Sequence, residues 1–332
     1  MIHAFAYTNQ GRLHSKDVAP AQMAAVLADN ALFLWVDLEA ATAEETTLVL
    51  EQTFHFHPLC IEDCLTVDSA PKVEEYTPGE GDQFAPYLFL VIHAVDYHRQ
   101  DGQFATSELD FFLGKNLLVT YHQAPLRSLA TALERAGKGS LPFARSPDRV
   151  AQTLLELVVE NYTPAMNDLT QEIADLEQAA LRNPCQETLN QILLAKKEVQ
   201  HLQQIIAPQC AVVGRLAAGE FALIRPHQVP YYRNINDALN RINSQARGFT
   251  DALTGILQVY LNMSSNQTGE VVKLLTLITV ITTPLMMIGT WYGMNFKGMP
   301  EVEWPHGYLI ATGVMLTSTI GTILYFRKRK WF

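Results

Sequence analysis

Four threonines near the end of the chain, Thr276, Thr279, Thr283 and Thr290, fall at spacings of three, four and seven residues. On a helix those spacings put the four side chains in one stripe. The stripe lies in "LLTLITVITTPLMMIGTWYGMNF", residues 274–296, 23 residues without a charge between Lys273 and Lys297. A run of roughly 20 such residues can cross a bilayer as a helix. At that depth a polar stripe must face a neighbouring helix or water. Two readings stay open: hydrogen bonding between helices, which Thr does well, or the wall of a water-filled path. The run ends in Tyr292-Gly293-Met294-Asn295, so an amide stands where the apolar stretch stops. A neutral amide oxygen, with backbone carbonyls beside it, suits the hydration shell of a hard cation such as Mg²⁺, which gives up its waters reluctantly. Such dipoles bind the shell without holding the ion too tightly to release.

The elements that must position these groups follow from the flanks. A second apolar run, Trp304–Phe326, is also 23 residues long and is interrupted only by His306. Trp291, Tyr292, Trp304 and Tyr308 cluster where one membrane interface would lie. The alternative, two buried helices of a soluble protein, fits such paired full-length runs poorly. The chain closes on "RKRKWF", and an excess of Lys and Arg marks the cytosolic side. Both termini are therefore expected inside, in a cell (inner) membrane and in contact with membrane lipid. The short loop with Glu301 and Glu303 is expected outside. The basic tail reads either as a stop-transfer anchor or as an electrostatic collar. The start, "MIHAFAYTNQGRLHSKD", lacks a basic segment followed by an apolar one, so no secretory signal is expected. Two spans cannot enclose a pore. Conduction would need several copies, each lending one helix and one Asn295.

Upstream, "ALFLWVDLE", "YLFLVIHAVDY", "LDFFLG" and "NLLVTYH" read as strands. "ATAEETTLVLEQTF" reads as an amphipathic helix, and "HPLCIEDCLT" as the first turns of another. From Pro147 the period becomes helical. Leu154, Leu157, Leu169, Ile173, Leu176 and Ala180 share one face up to the break at Asn183-Pro184. Leu189, Ile192, Val199, Leu202 and Ile206 define a second helix, which Pro208 is expected to kink or end. Together they predict an antiparallel hairpin. Ile235, Leu239, Ile242, Ala246, Phe249, Leu253, Ile256, Tyr260 and Met263 then form a heptad seam with no breaker before the first span. One helix from about 230 to 292 is expected, roughly 90 Å long at 1.5 Å per residue. Its seam needs a partner, either the chain's own hairpin or another subunit. Pro284 should kink it locally.

Composition narrows the classes further. The net charge of -10 over 332 residues argues against nucleic acid as a partner. Four cysteines do not make a disulfide framework at this length. His55, His57, Cys60 and Cys64 fit no common zinc spacing, and ordinary packing is the better reading. "AGKGSLPFARS" contains Gly-Lys-Gly-Ser but no phosphate-binding loop pattern, and no nucleophile–base arrangement stands out. An enzyme is not indicated, nor any cofactor.

At this point the residues resemble a known family. "YGMNF" followed by "MPE" between two C-terminal spans, with a basic tail ending near Trp331, is similar to the CorA magnesium/cobalt transport proteins. "HPLCIEDCLTVDSAPKVEEY" and "VPYYRNINDALNRI" extend the likeness over most of the chain. The resemblance implies an α+β cytoplasmic domain, long helices and two C-terminal transmembrane helices, assembled as a funnel-shaped homopentamer. It implies that Gly293, Met294 and Asn295 select the ion, supported by Tyr292. Thr276, Thr279, Thr283 and Thr290 would line the pore, and Val272 and Leu275 would form a hydrophobic gate. Glu301 would concentrate cations. The substrates implied are Mg²⁺, with Co²⁺ and Ni²⁺, and cytoplasmic Mg²⁺ would favour closure. Asp63 matches one acidic member of the family's regulatory Mg²⁺ site. Asn234 replaces another, although Asp237 lies one turn further on. A second departure is Thr283 before Pro284, where the family often has Met.

The segments expected are an α/β domain at 1–146, a helical hairpin at 147–229, a stalk at 230–273, spans at 274–296 and 304–326, an external loop at 297–303, and a tail at 327–332. Passive, potential-driven influx is the leading reading. A transporter for zinc or a related metal from the same superfamily, and a membrane-anchored sensor, are the alternatives.

Overall fold

The computed structural model describes residues 1–332 except 67–68, 101–102, 139–143, 295–298, 301–303, 330 and 332; for 96–100 and 103–105 it describes the backbone alone. By its internal contacts the chain divides into two units, 1–178 with 190–256, and 179–189 with 257–332.

The first unit is built on a seven-stranded mixed sheet. Its strands are β1 (Ile2–Thr8), β2 (Leu13–Lys16), β3 (Leu32–Glu39), β4 (Lys72–Tyr76), β5 (Tyr87–Gln100), β6 (Gln103–Gly114) and β7 (Leu117–His122). They lie in the order β2-β1-β3-β7-β6-β5-β4. Among the described residues the one parallel pair is β3 with β7, in which Trp35 stands beside Leu118 and Asp37 beside Thr120. Strands covered on both faces are expected to be continuously apolar rather than alternating. Phe33, Leu34, Trp35 and Val36 are all at most 1% exposed. One face holds Leu34, Val36, Phe89, Phe112 and Val119 against α1 (Pro20–Ala28), the 43–53 helix and α3 (Pro58–Leu65). The other carries α5 (Pro147–Glu160), which packs on β3, β5, β6 and β7 and on α4 (Arg127–Gly137).

Three strands, β1, β2 and β4, were not legible as strands. In β1 the buried run Ala4-Phe5-Ala6-Tyr7 is half alanine, which carries little strand propensity. The helix expected over "ATAEETTLVLEQTF" forms, but only Ala43–Thr46 (α2) is α-helical, and Thr47–Thr53 continues as a π-helix. Thr42 caps it through a reciprocal pair with Glu45. The wider turn keeps Val49 and Leu50 buried and leads into His55, which has φ of 54°.

The helices that follow are α6 (Tyr162–Arg182), α7 (Gln186–Ala218) and α8 (Val229–Tyr292). Pro208 neither ends nor interrupts α7. A proline forfeits one ladder hydrogen bond, but the turns after it bury Val212, Val213 and Leu216. Gln209, next to it, donates to the Tyr162 hydroxyl at 2.9 Å. Lys196 reaches Thr254 at 3.3 Å and Gln203 reaches Thr250 at 3.0 Å, so α7 and α8 run antiparallel within this unit. The seam residues Ile235, Leu239, Ile242, Ala246, Leu253 and Ile256 are each at most 9% exposed. The chain's own helices therefore cover the seam in this unit. The 64-residue α8 passes Pro284 without ending.

Candidate functional site

The second unit contains the last part of α8 and α9 (Gly307–Lys328). Helix α9 starts three residues later than the apolar run, because Trp304, Pro305 and His306 form the turn before it. Both helices are long and apolar enough to cross a membrane. A core helix of a soluble protein can be equally long and apolar, but it is mostly buried. Here 6% of the apolar window of α8 is buried, and none of that of α9.

Within this unit α9 packs on one side of α8. Met287, Ile288, Trp291 and Tyr292 border a small apolar cavity with Ala311 and Val314, and Gly289 lies beside the Met315 methyl. At about 100° per residue, that side is centred about 130° from the threonine stripe. Thr279, Thr283 and Thr290 are exposed and Thr276 is half-buried. Val272 and Leu275, 55% and 64% exposed, lie on the stripe's own face at its N-terminal end.

Each threonine hydroxyl donates to its own helix four residues back. Thr276 bonds Val272 O at 2.8 Å, Thr279 bonds Leu275 O at 2.9 Å and Thr283 bonds Thr279 O at 2.7 Å, while Thr290 bonds Met286 O. A hydroxyl has one proton and two lone pairs. With the proton spent on the backbone, the outward oxygens are acceptors only. Such a face repels nothing cationic and can take hydrogen bonds from the water shell of an ion.

Helix α8 closes at Tyr292. The Gly293 amide reaches Gly289 O at 3.0 Å and the Met294 amide reaches Trp291 O at 3.4 Å. A Cβ on Gly293 would stand 3.1 Å from Gly289 O, so the turn leaves little room for a side chain there. Tyr292 and Met294 are 41% and 44% exposed. Asn295 and Glu301 lie outside the described residues.

The regulatory candidates fall in the first unit. Asp63, on α3, pairs with Lys72 at 2.5 Å, an intrachain cation already in the place a metal would take. Asp237 is exposed on α8. Among the described residues no group of three or more His, Cys, Asp or Glu is arranged to hold a metal. Asn234 lines a cleft of about 480 Å³ together with Glu156, Glu160 and Arg241. Sequence reasoning passed over these two carboxylates. Their spacing of four on α5, on the side away from its apolar face, was the available signal. In the His55–Cys64 segment the two cysteines pack in the interior, whereas His55 is exposed. Cys60 and Cys64 are buried, and the Tyr87 hydroxyl meets Cys60 Sγ at 3.4 Å and the His57 amide at 3.0 Å.

A set of buried ionisable groups was not legible. Asp110 on β6 is 1% exposed. Burial and then the neighbouring Glu108 carboxylate push its pKa well above the usual carboxylate range. Glu108 is raised too, chiefly by burial, although its Oε2 accepts from the Ser69 amide at 2.8 Å. On the same sheet His122 Nε2 lies 3.4 Å from Asp37 Oδ2, with side-chain exposures of 1% and 0%. Burial would lower the His122 pKa, but hydrogen bonding and attraction to Asp37 outweigh it and raise it.

A mixed-sheet unit followed by two exposed apolar helical segments, the last part of α8 and α9, defines a membrane protein with a large non-membrane part. The chain belongs to the CorA-like Mg²⁺ transporter protein family, whose family model matches residues 30–328. It is 29% identical over 309 residues to the cobalt/magnesium transport protein CorA of Thermotoga maritima, covering 91% of this chain and 84% of that one. It is 27% identical over 298 residues to the putative metal ion transporter YfjQ of Bacillus subtilis, covering 90% of this chain and 89% of that one. Its fold matches the complete CorA magnesium transporter structure from Methanocaldococcus jannaschii with a TM-score of 0.80, at 18% identity over 99% of this chain and 98% of that one. The cytoplasmic domain of ZntB from Vibrio parahaemolyticus matches with a TM-score of 0.61, at 12% identity over 80% of this chain and 99% of that one.

Proposed function

We propose that this chain forms a divalent-cation channel for Mg²⁺, and also for Co²⁺ and Ni²⁺, that runs passively down the membrane potential. The observation that carries the reading is the acceptor-only threonine face of α8, turned away from α9 and followed at once by Tyr-Gly-Met-Asn. Two helices per chain leave that face uncovered, so a ring of copies, a homopentamer by family likeness, encloses it. Each copy contributes Thr276, Thr279, Thr283 and Thr290 to the wall, and Gly293, Met294 and Asn295 to the outer mouth. Val272 and Leu275 form the hydrophobic gate at the cytoplasmic end, and Glu301 gathers cations outside. A divalent ion falling through about 100 mV gains roughly 4.6 kcal/mol, enough to drive uptake without a chemical energy source.

Cytoplasmic Mg²⁺ closes the channel in this reading. Asp63 and Asp237 are the candidate ligands, each needing a second copy to complete its site, and binding at Asp63 must displace Lys72. Glu156 and Glu160 supply negative charge beside Asn234, where the family's acidic residue is missing.

The test is Mg²⁺ entry into liposomes loaded with a Mg²⁺-sensitive dye, for the wild type and for Asn295→Ala. Entry with the wild type and strong loss in the variant is the expected result. Equal entry in both would remove Asn295 from selection. No entry under an inward gradient, with folded protein, would favour efflux of zinc or a related metal, or a sensor.

A further inference from the structure

The chain carries a net charge of -10, yet one cleft of its first unit is lined by cations. The cleft measures about 690 Å³ and is bordered by Arg145, Arg149, Arg225 and His227. It shares Arg145, Ser146 and Arg225 with a neighbouring hollow of about 470 Å³ that adds Lys115 and Asn116. Among the described residues that line the two, Asp148 is the only carboxylate. It is already neutralised, because it accepts from Arg225 through Nε at 3.0 Å and Nη2 at 2.5 Å. Among the described residues no carboxylate pairs with Arg145, Arg149 or Lys115. Counting only arginine, lysine and aspartate, the four cations exceed the one anion by three charges.

Two of these cations, Arg149 and Arg225, are held in place. Arg149 donates to Gln228 Oε1 at 3.2 Å, and its guanidinium lies 4.0 Å from the centre of the Tyr231 ring. Arg225 is fixed by its fork on Asp148. A cluster of like charges kept in fixed positions costs free energy unless an anion joins it.

The floor of the cleft adds an independent observation. Ser146 is the residue before the first turn of the 14-residue α5, and only 5% of it is exposed. Serine at such a position ordinarily accepts from the first-turn amides. Here it makes no capping bond, and among the described residues its hydroxyl has no hydrogen-bond partner. Buried hydroxyls are almost always paired. This one stands at the positive end of a helix and lines the same cleft as Arg145 and Arg149, where an anion is favoured by the helix dipole.

We propose that this cleft binds a soluble, phosphate-bearing anion, with phosphate oxygens received by the Ser146 hydroxyl and the α5 N-terminus and neutralised by Arg145, Arg149 and Lys115. Guanidinium forks match phosphate oxygens in pairs. A net surplus of three charges suits a polyphosphate better than a monovalent anion. The cleft is also larger than inorganic phosphate needs, which leaves room for the rest of a nucleotide.

The experiment is calorimetric titration of the full-length chain in detergent with inorganic phosphate and, separately, with ATP, both without Mg²⁺. The expected result is saturable ATP binding with Kd below about 1 mM, weakened roughly tenfold by Ser146→Ala and by Arg145→Gln, and weakened again by added salt. Phosphate binding with the same sensitivity to both variants supports the site equally and identifies the small anion as its ligand. Ser146 makes no capping bond and Arg145 is exposed, so both variants should melt like the wild type. If Ser146→Ala does not, Lys115→Gln replaces it. The proposal is overturned if the folded wild type binds neither probe up to about 10 mM, far above any useful affinity. Binding that is unchanged in the variants overturns it as well.

Discussion

Asp110→Asn should make the first unit more stable at neutral pH and flatten its dependence on pH. The wild-type side chain is 1% exposed, and burial followed by the Glu108 charge raises its pKa well above normal. Groups facing it come from three elements: Glu108 on its own strand, Asp63 and Cys64 from α3, and His122 from β7 across the same small cavity. The folded state therefore keeps a proton that the unfolded chain releases near pH 4. A raised pKa contributes stability below the unfolded value, and that stability is lost as pH climbs toward the folded one. Over that window the wild type loses about 1.4 kcal/mol per pH unit for each retained proton. Between pH 5.5 and 7 that slope is expected for as long as the folded side chain keeps its proton. Asparagine keeps the shape and carries no proton to lose, so Asp110→Asn lacks that slope. The assay is hydrogen exchange of β6 amides, corrected for intrinsic rates, together with thermal melts in detergent at both pH values. A variant with the wild-type slope, or one less stable than wild type at pH 7, would refute the reasoning.

Two further outcomes follow from the geometry. His122→Asn should destabilise the sheet by about 3 kcal/mol at pH 6, since it leaves Asp37 buried with Thr120 as its remaining side-chain partner. The raised His122 pKa means its contribution is complete below about pH 6.5 and fades as pH rises through the folded value, so the gap between variant and wild type should narrow at high pH in denaturant titrations. Thr283→Val should leave the melting temperature nearly unchanged, because the lost hydroxyl bond serves only its own helix and membrane hydrogen bonds average about 0.6 kcal/mol. It should still cut Mg²⁺ flux into liposomes several-fold by removing an acceptor from the proposed wall, and unchanged flux would take Thr283 off the conducting face.

The sequence by itself determined the membrane pair, the long helix and the order of the motifs. Those signals are local: uncharged runs of 23 residues, a heptad seam from Ile235 to Met263, and a stripe of threonines whose spacing matches one helical turn after another. Periodicity reports them because each depends on neighbours within a few turns. Tertiary structure decided what periodicity cannot report. Alanine-rich β1 is a strand because β3 and β2 supply partners on either side. Pro208 stays inside α7 because distant residues bury the turns beyond it. Asp63, read as a possible metal ligand, meets Lys72 nine positions on. Asp110, unremarkable in "LDFFLG", becomes a proton-holding group only once the sheet and α3 exclude water around it. Arg145, Lys115 and Arg225, far apart in the chain, converge on one unbonded serine. The physical reason is common to all of these: desolvation and charge proximity depend on which distant segments pack together, whereas helix formation and apolar length are properties of the segment itself.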